Sequence, residues 1–248
     1  MKKYYYFVLL AISIVLLTGC AEFNEPITES SAGYWNTWIV WPIVQIIHYL
    51  SVITGSYGGG IIAVTVFIRL LILPLTLKQI KHSQKMQDIQ PKLKILQTKY
   101  QAKDANTQQQ YQQELMRTMK ESNVNPVSGC LPSIIQMPIL IGLYHAISRM
   151  NVTPSYEIGS FLMIPLASPS VILAVIAGIA QFIVLKTSPT LTANSQIVAV
   201  QYILPLMIFG FGLMSPAAIA LYWIISSTIT IIQNKILYRE RKKTLIVK

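Results

Sequence analysis

Residues 58–77 read GGGIIAVTVFIRLLILPLTL, 20 residues with one charge, Arg69. About 20 mostly apolar residues make a helix long enough to cross a bilayer core, so the stretch predicts a membrane span. An arginine near the middle of a span costs about 2.5–3.5 kcal/mol on insertion scales. Arg69 stands nine positions before Lys78, which is about 13.5 Å of helix. Snorkelling to the interface is the plain alternative for a long cationic side chain; the mid-span position favours a cavity that admits water. The other spans offer no carboxylate to pair with it, because Glu157 is the only acidic residue between Glu121 and Glu240.

The rest of the chain has the same character. Of its 248 residues, 53% are hydrophobic and 12% are charged, yet the net charge is +11. A soluble domain carries about 25% charged residues. An ordinary basic nucleic-acid-binding domain and a disordered tail are both excluded on these grounds. Further uncharged runs cover Leu131–Ile147, about 168–185, about 197–213 and about 217–233, the last two parted by Ser215-Pro216. Proline cannot continue a helix, so this pair reads as two spans with a tight turn. The expectation is an all-α polytopic membrane protein with five transmembrane helices.

Lysine and arginine set the orientation. Lys78, Lys81, Lys85, Lys92, Lys94, Lys99, Lys103, Arg117 and Lys120 lie between the first and second spans. Lys186 lies between the third and fourth, and the tail holds Lys235, Arg239, Arg241, Lys242, Lys243 and Lys248. With five alternating spans, all of these fall on one side and only Arg149 marks the other. The mature N-terminus is therefore expected outside and the C-terminus in the cytoplasm.

Residues 1–19 have a basic head (Lys2, Lys3), an apolar core from Tyr4 to Leu17 and a small-residue exit. That is a signal-peptide layout, with an uncleaved first span as the rival. The exit Leu17-Thr18-Gly19-Cys20 resembles the lipobox of bacterial lipoproteins. The resemblance implies cleavage before Cys20 and covalent diacylglycerol and N-acyl lipid there, with no other cofactor. Cys130 is then alone and no disulfide forms within the chain. In the external segment 20–57, residues 34–54 (YWNTWIVWPIVQIIHYLSVIT) are apolar but rich in Trp and Tyr. They are expected to form an amphipathic helix on the outer surface. A sixth span is the rival, but it would place the lipidated end inside.

Residues 78–121 are polar. Ile89, Leu93, Leu96 and Tyr100 follow helical steps, as do Tyr111, Leu115 and Met119, with KDANTQQQ between them. The periodicity predicts a cytoplasmic hairpin of two amphipathic helices. It serves either as a solvated linker or as a landing surface for a partner. The basic tail, residues 239–248, either orients the chain or contacts ribosomal RNA or anionic lipid.

Other polar groups interrupt the spans. Thr65 lies four residues before Arg69, and Gln136, Gln181 and Gln201 fall in the second, third and fourth spans. Ser226, Ser227 and Thr230 fall in the fifth. Singly, such residues suit interhelical hydrogen bonds; with a bare arginine they suggest a hydrophilic groove. No phosphate-binding loop or H-E-x-x-H motif occurs, and His48, His82 and His145 have no metal-ligand spacing. An enzyme is not expected, and the lack of an internal repeat or intramembrane carboxylate pair argues against a coupled transporter.

Three segments carry a resemblance to a known family. VFIRLLILPL around Arg69, IQPKLKILQTKY at 89–100 and NPVSGCLPSIIQMPI at 125–139 resemble the first core span, cytoplasmic hairpin and second-span entry of the YidC/Oxa/Alb membrane protein insertases, in the lipoprotein form of Gram-positive bacteria. The resemblance covers about residues 58–240, with a five-span core at 58–238. It implies a bacterial plasma-membrane insertase and chaperone for small membrane proteins, acting alone or with the Sec translocon. Nascent membrane proteins and membrane lipids are the implied partners, the Sec translocon and the ribosome are further candidates, and DNA is not expected. In the family an arginine of the first core span lies in a groove open to cytoplasm and lipid, and Arg69 matches it. A groove glutamine of the third span is matched by Gln181, and a tryptophan of the fifth by Trp223. Gln136 and Thr65 join this set on the polar-face argument alone. The alternatives are a Sec-associated assembly chaperone without independent insertion and a passive pore or transporter.

Overall fold

The computed structural model describes residues 25–101, 104–124, 131–188 and 195–246. The signal segment, Cys20, Cys130 and the side chain of Gln201 lie outside the described part. The described chain is almost wholly helical. A π-helical turn at Asn36–Val40 runs into α1, Trp41–Thr54. Pro42 falls in the first turn of α1, where its missing N–H leaves no bond unmade. Gly55, at φ 74°, ends α1 in the left-handed conformation that glycine tolerates. Ser56 then caps α2, Tyr57–Leu71, by accepting a hydrogen bond from the Gly59 amide at 3.1 Å. The hairpin closes tightly at Gly60, where an added Cβ would stand 2.8 Å from the Ile47 carbonyl.

The apolar run expected as one span over 58–77 is bent. Helix α2 stops at Leu71, α3 begins at Leu73 and continues to Lys99, and the two meet at 55°. Pro74 supplies the reason: it has no N–H, and its ring crowds the carbonyl four residues earlier. The Ile72 amide still reaches Ile68 O, so the break leaves that donor satisfied. Helix α3 pairs with α4, Ala105–Glu121, in the expected hairpin. Met86, Ile89 and Leu93 of α3 bury against Leu115 and Met119 of α4, together with Val124. Tyr100 and Tyr111 meet at the turn, ring centroids 6.5 Å apart. Asp104 caps α4 by accepting from the Thr107 amide at 2.9 Å, and this bond holds its carboxyl below the usual range.

Helix α5 spans Leu131–Val152. A two-stranded hairpin follows, β1 (Ser160–Phe161) and β2 (Ile164–Pro165), then α6 (Val171–Thr187), α7 (Ser195–Met214) and α8 (Ala217–Ile246). The break at Ser215-Pro216 separates α7 from α8 as the sequence predicts. Helices α6 and α7 approach closely because small residues face each other: Gly178 lies against Phe209, and Gly212 against Ala174.

One apolar core joins the π-helical turn, α1, α2, α5 and α8 through Val44, Ile47, Ile61, Val64, Leu143, Ile147 and Ile219. Above it lies the segment before the π-helical turn, fixed by Arg149 near the C-terminal end of α5. Arg149 is 2% exposed. Its Nε donates to Glu25 O at 2.9 Å, Nη1 to Asn36 Oδ1 at 2.7 Å, and Nη2 to Pro26 O at 3.1 Å. The Ile27 amide donates to Thr153 Oγ1 at 2.9 Å, a second tie between the same segments. A residue expected only to mark the outer boundary is thus a buried anchor.

Outward-facing surfaces are apolar. Leu70, Leu71, Ile179, Ile203, Leu206 and Met207 are all exposed, which suits contact with lipid. Among the described residues, Asn36–Thr54 and Ala217–Leu237 are each long and apolar enough to cross a membrane. The bent α2–α3 pair makes a third, and Val171–Thr187 and Tyr202–Met214 are shorter apolar helices. Length and composition thus let the segment expected on the outer surface cross as well.

Candidate functional site

Helix α8 organises the polar groups inside the bundle. Tyr222, Ser226, Thr230 and Asn234 repeat every four residues, and Ser227 falls beside them. From Tyr222 to Asn234 the stripe rises about 18 Å. Its hydroxyls meet a polar side chain from each of three other helices. Arg69 of α2 donates to Ser226 Oγ, through Nε at 3.1 Å and also through Nη2. Gln136 Nε2 of α5 donates to the Tyr222 hydroxyl. Ser227 Oγ donates to Gln181 Oε1 of α6 at 3.2 Å. Further along α8, Asn234 Nδ2 donates to Ser188 Oγ at 3.1 Å.

Four of the five residues expected in the groove therefore converge on α8. Arg69, Gln136 and Gln181 do so through hydrogen bonds, and Trp223 belongs to the helix itself. The Trp223 indole stands edge-on to Phe211, centroids 5.4 Å apart, and packs beside Ala177, Ile208 and Ala220. It is half-buried, as are Arg69, Gln136 and Gln181. Thr65 is placed differently. It is 1% exposed, and its hydroxyl donates to Ile61 O of its own helix at 2.6 Å. Thr65 lies in the apolar core and its polarity is spent on backbone.

Tyr222 was not legible as a site residue. The sequence signal is its position one turn before Ser226, on the face that carries Ser226 and Thr230. Its 2% exposure and the apolar neighbours of its ring make it look like core; only its hydroxyl, at the end of the ring, joins the polar stripe. Chemically the site offers a fixed cation, two amides, several hydroxyls and an aromatic edge. It has no nucleophile–base pair. Among the described residues, no group of three His, Cys, Asp or Glu is placed to hold a metal.

Comparison with known proteins assigns the chain to a family. The model of the 60Kd inner membrane protein family matches residues 49–244. The membrane protein insertase YidC of Oceanobacillus iheyensis is 43% identical over 242 residues, covering 94% of this chain and 95% of that protein. The membrane protein insertase MisCA of Bacillus subtilis is 43% identical over 225 residues, covering 89% and 85%. A crystal structure of an active YidC insertase with its first transmembrane domain resolved superposes with a TM-score of 0.62 at 25% identity. The match covers 84% of this chain and 47% of that one, so the present chain corresponds to about half of the larger protein. The chain is an integral membrane protein and belongs to the 60Kd inner membrane protein family, the YidC/Oxa/Alb membrane protein insertases.

Proposed function

We propose that this insertase moves the short polar tails of small nascent membrane proteins across the bilayer along a hydrophilic groove centred on Arg69. The observation that carries this reading is the half-buried guanidinium of Arg69, held by the neutral hydroxyl of Ser226. The only acidic residue between Glu121 and Glu240 is Glu157, in the outer loop. The positive charge is thus positioned and left for a client to meet. Gln136, Gln181 and Trp223 line its approach, and Arg69 attracts acidic residues of the client tail transiently.

The energies permit insertion without a nucleotide. About 20 client residues at roughly −0.3 to −0.6 kcal/mol each give about −6 to −12 kcal/mol, against about +3 kcal/mol per charged group carried through an apolar core. One or two charges are carried; a long charged domain is not. Five alternating spans, the bent α2–α3 unit, α5, α6, α7 and α8, put the lysine- and arginine-rich segments on one side. The N-terminal segment lies outside, lipid-anchored at Cys20, with residues 34–54 resting at the outer interface. The hairpin and basic tail are cytoplasmic, where Sec and the ribosome are the candidate partners. Loss of palmitate labelling in Cys20→Ala tests the anchor.

The central test reconstitutes the pure protein in liposomes, with and without Sec, and scores a single-span client bearing an acidic N-tail. Arg69→Ala is expected to cut its insertion severely. Unimpaired insertion by Arg69→Ala overturns the groove-charge mechanism. Insertion seen only with Sec favours the assembly chaperone, and ion flux without insertion favours the pore.

A further inference from the structure

The bond between Arg69 and Ser226 has an unusual imbalance. A guanidinium carries five N–H donors, and two of its nitrogens are directed at one hydroxyl oxygen on another helix. Ser226 is 3% exposed, so bulk water does not readily replace its hydroxyl. One turn further, Thr230 Oγ1 donates to the Ser226 carbonyl at 2.9 Å, and Tyr222, one turn earlier, receives Gln136. A neutral hydroxyl is a weaker acceptor for guanidinium than a carboxylate, which takes two parallel N–H bonds. The fold could have used Asp at this position and neutralised the cation permanently.

We propose that Ser226 sets the charge specificity of insertion by acting as a place-holding acceptor for Arg69. It keeps the guanidinium inside the bundle when no client is present and yields it to a carboxylate of the client's tail. This rests on the groove-charge reading above and adds a residue to it. The size and charge of residue 226 then determine two things. Without the hydroxyl, the long Arg69 side chain is free to snorkel toward the interface. With a carboxylate, Arg69 is paired internally and the client's acidic residue loses its partner. Specificity is a difference between two affinities, and residue 226 moves the one for acidic tails and spares the one for neutral tails.

The test uses the full chain in liposomes and two single-span clients with the same span. One has two acidic residues in its N-tail and the other has amides in their place. The readout is the ratio of acidic-tail to neutral-tail insertion, which a merely structural defect does not shift. Ser226→Ala is expected to lower the ratio about threefold, and Ser226→Thr, which restores a hydroxyl, to return it toward wild type. Ser226→Asp is expected to lower the ratio further than Ser226→Ala, because an internal carboxylate takes two parallel N–H bonds from Arg69. If Ser226→Asp does not fold, the Ala and Thr pair decides alone. An unchanged ratio in the folded variants overturns the proposal, as does equal loss of both clients. Arg69→Ala, measured in parallel, separates the two levels. If it impairs the acidic client while the Ser226 variants leave the ratio unchanged, only the role of Ser226 fails. If Arg69→Ala has no effect, the groove-charge reading fails as well.

Discussion

Arg149 Nη1 donates to Asn36 Oδ1 at 2.7 Å, so a cation near the C-terminal end of α5 holds the residue that opens the π-helical turn. Asn36 Nδ2 in turn donates to Ala32 O at 2.6 Å. The N-terminal segment is thereby folded onto the bundle through polar bonds as well as through Ile27 and Trp35. Arg149→Ala leaves two backbone carbonyls and the Asn36 amide without their donor. Bonds from a charged group are worth about 1.5–3 kcal/mol each, less after relaxation, so a net loss of about 2–4 kcal/mol is expected. Thermal unfolding in detergent measures it, and protease cleavage within residues 25–35 is expected to accelerate. Arg149→Lys keeps the charge but not the fork of donors, and should recover only part of the loss.

Gly60 makes a different prediction, about backbone contact. An added Cβ would meet Ile47 O at 2.8 Å and Ser51 N at 2.9 Å, both main-chain atoms that cannot rotate away. Gly60→Ala should therefore separate α1 from α2 and cost about 1–3 kcal/mol. Gly210, with open space around its Cβ position, is the control: Gly210→Ala should leave the unfolding temperature unchanged or raise it slightly.

The α3–α4 hairpin depends on its cap. Asp104 accepts from the Thr107 amide at 2.9 Å, and its carboxyl is held below the ordinary value by that bond first. A folded-state value below the unfolded one means stabilisation that is complete above the unfolded value. It is lost as pH falls through the depressed folded value. The hairpin should therefore be indifferent to pH across the physiological range and fray at its α4 start only in strong acid. Asp104→Ala should produce the same fraying at neutral pH, read as faster hydrogen exchange at the Thr107 amide. Asp104→Asn should largely preserve the cap.

Pro74 bends the chain at Ile72, and its replacement tests this directly. Pro74→Ala restores a backbone donor and removes the ring from the Leu70 carbonyl. The two helices should straighten from 55°, and the distance between spin labels at Ser56 and Thr98 should increase. An unchanged distance assigns the bend to the surrounding packing.

Much of this was legible beforehand, for identifiable reasons. Arg69, Gln136 and Gln181 stand out because a polar residue in an apolar run is visible in one dimension. The hairpin was legible because Ile89, Leu93, Leu115 and Met119 follow the helical period. Arg149 was not, because its partners lie more than 100 positions away and three of its bonds end on backbone or amide oxygens, which leave no charge pattern. Tyr222 was hidden for the complementary reason, since a tyrosine in an apolar helix reads as core until its hydroxyl is placed. The bend had a local signal, Pro74, which the uniform hydropathy of residues 58–77 outweighed. Thr65 shows the reverse error: sharing a helix face with Arg69 did not bring it into the polar stripe, because a threonine inside a helix readily bonds the carbonyl four residues back.

The break at Ile72 also acts as a mechanical fulcrum. Helix α3 runs 27 residues beyond it, an arm of about 40 Å. A change of only 5° in the bend displaces the far end at Lys99 by roughly 3.5 Å on that geometry. Angular differences too small to disturb the packing around Arg69 are thus magnified at the hairpin tip to the width of a side chain. Labels near the turn at Tyr100 would be the most sensitive gauge of what happens inside the bundle.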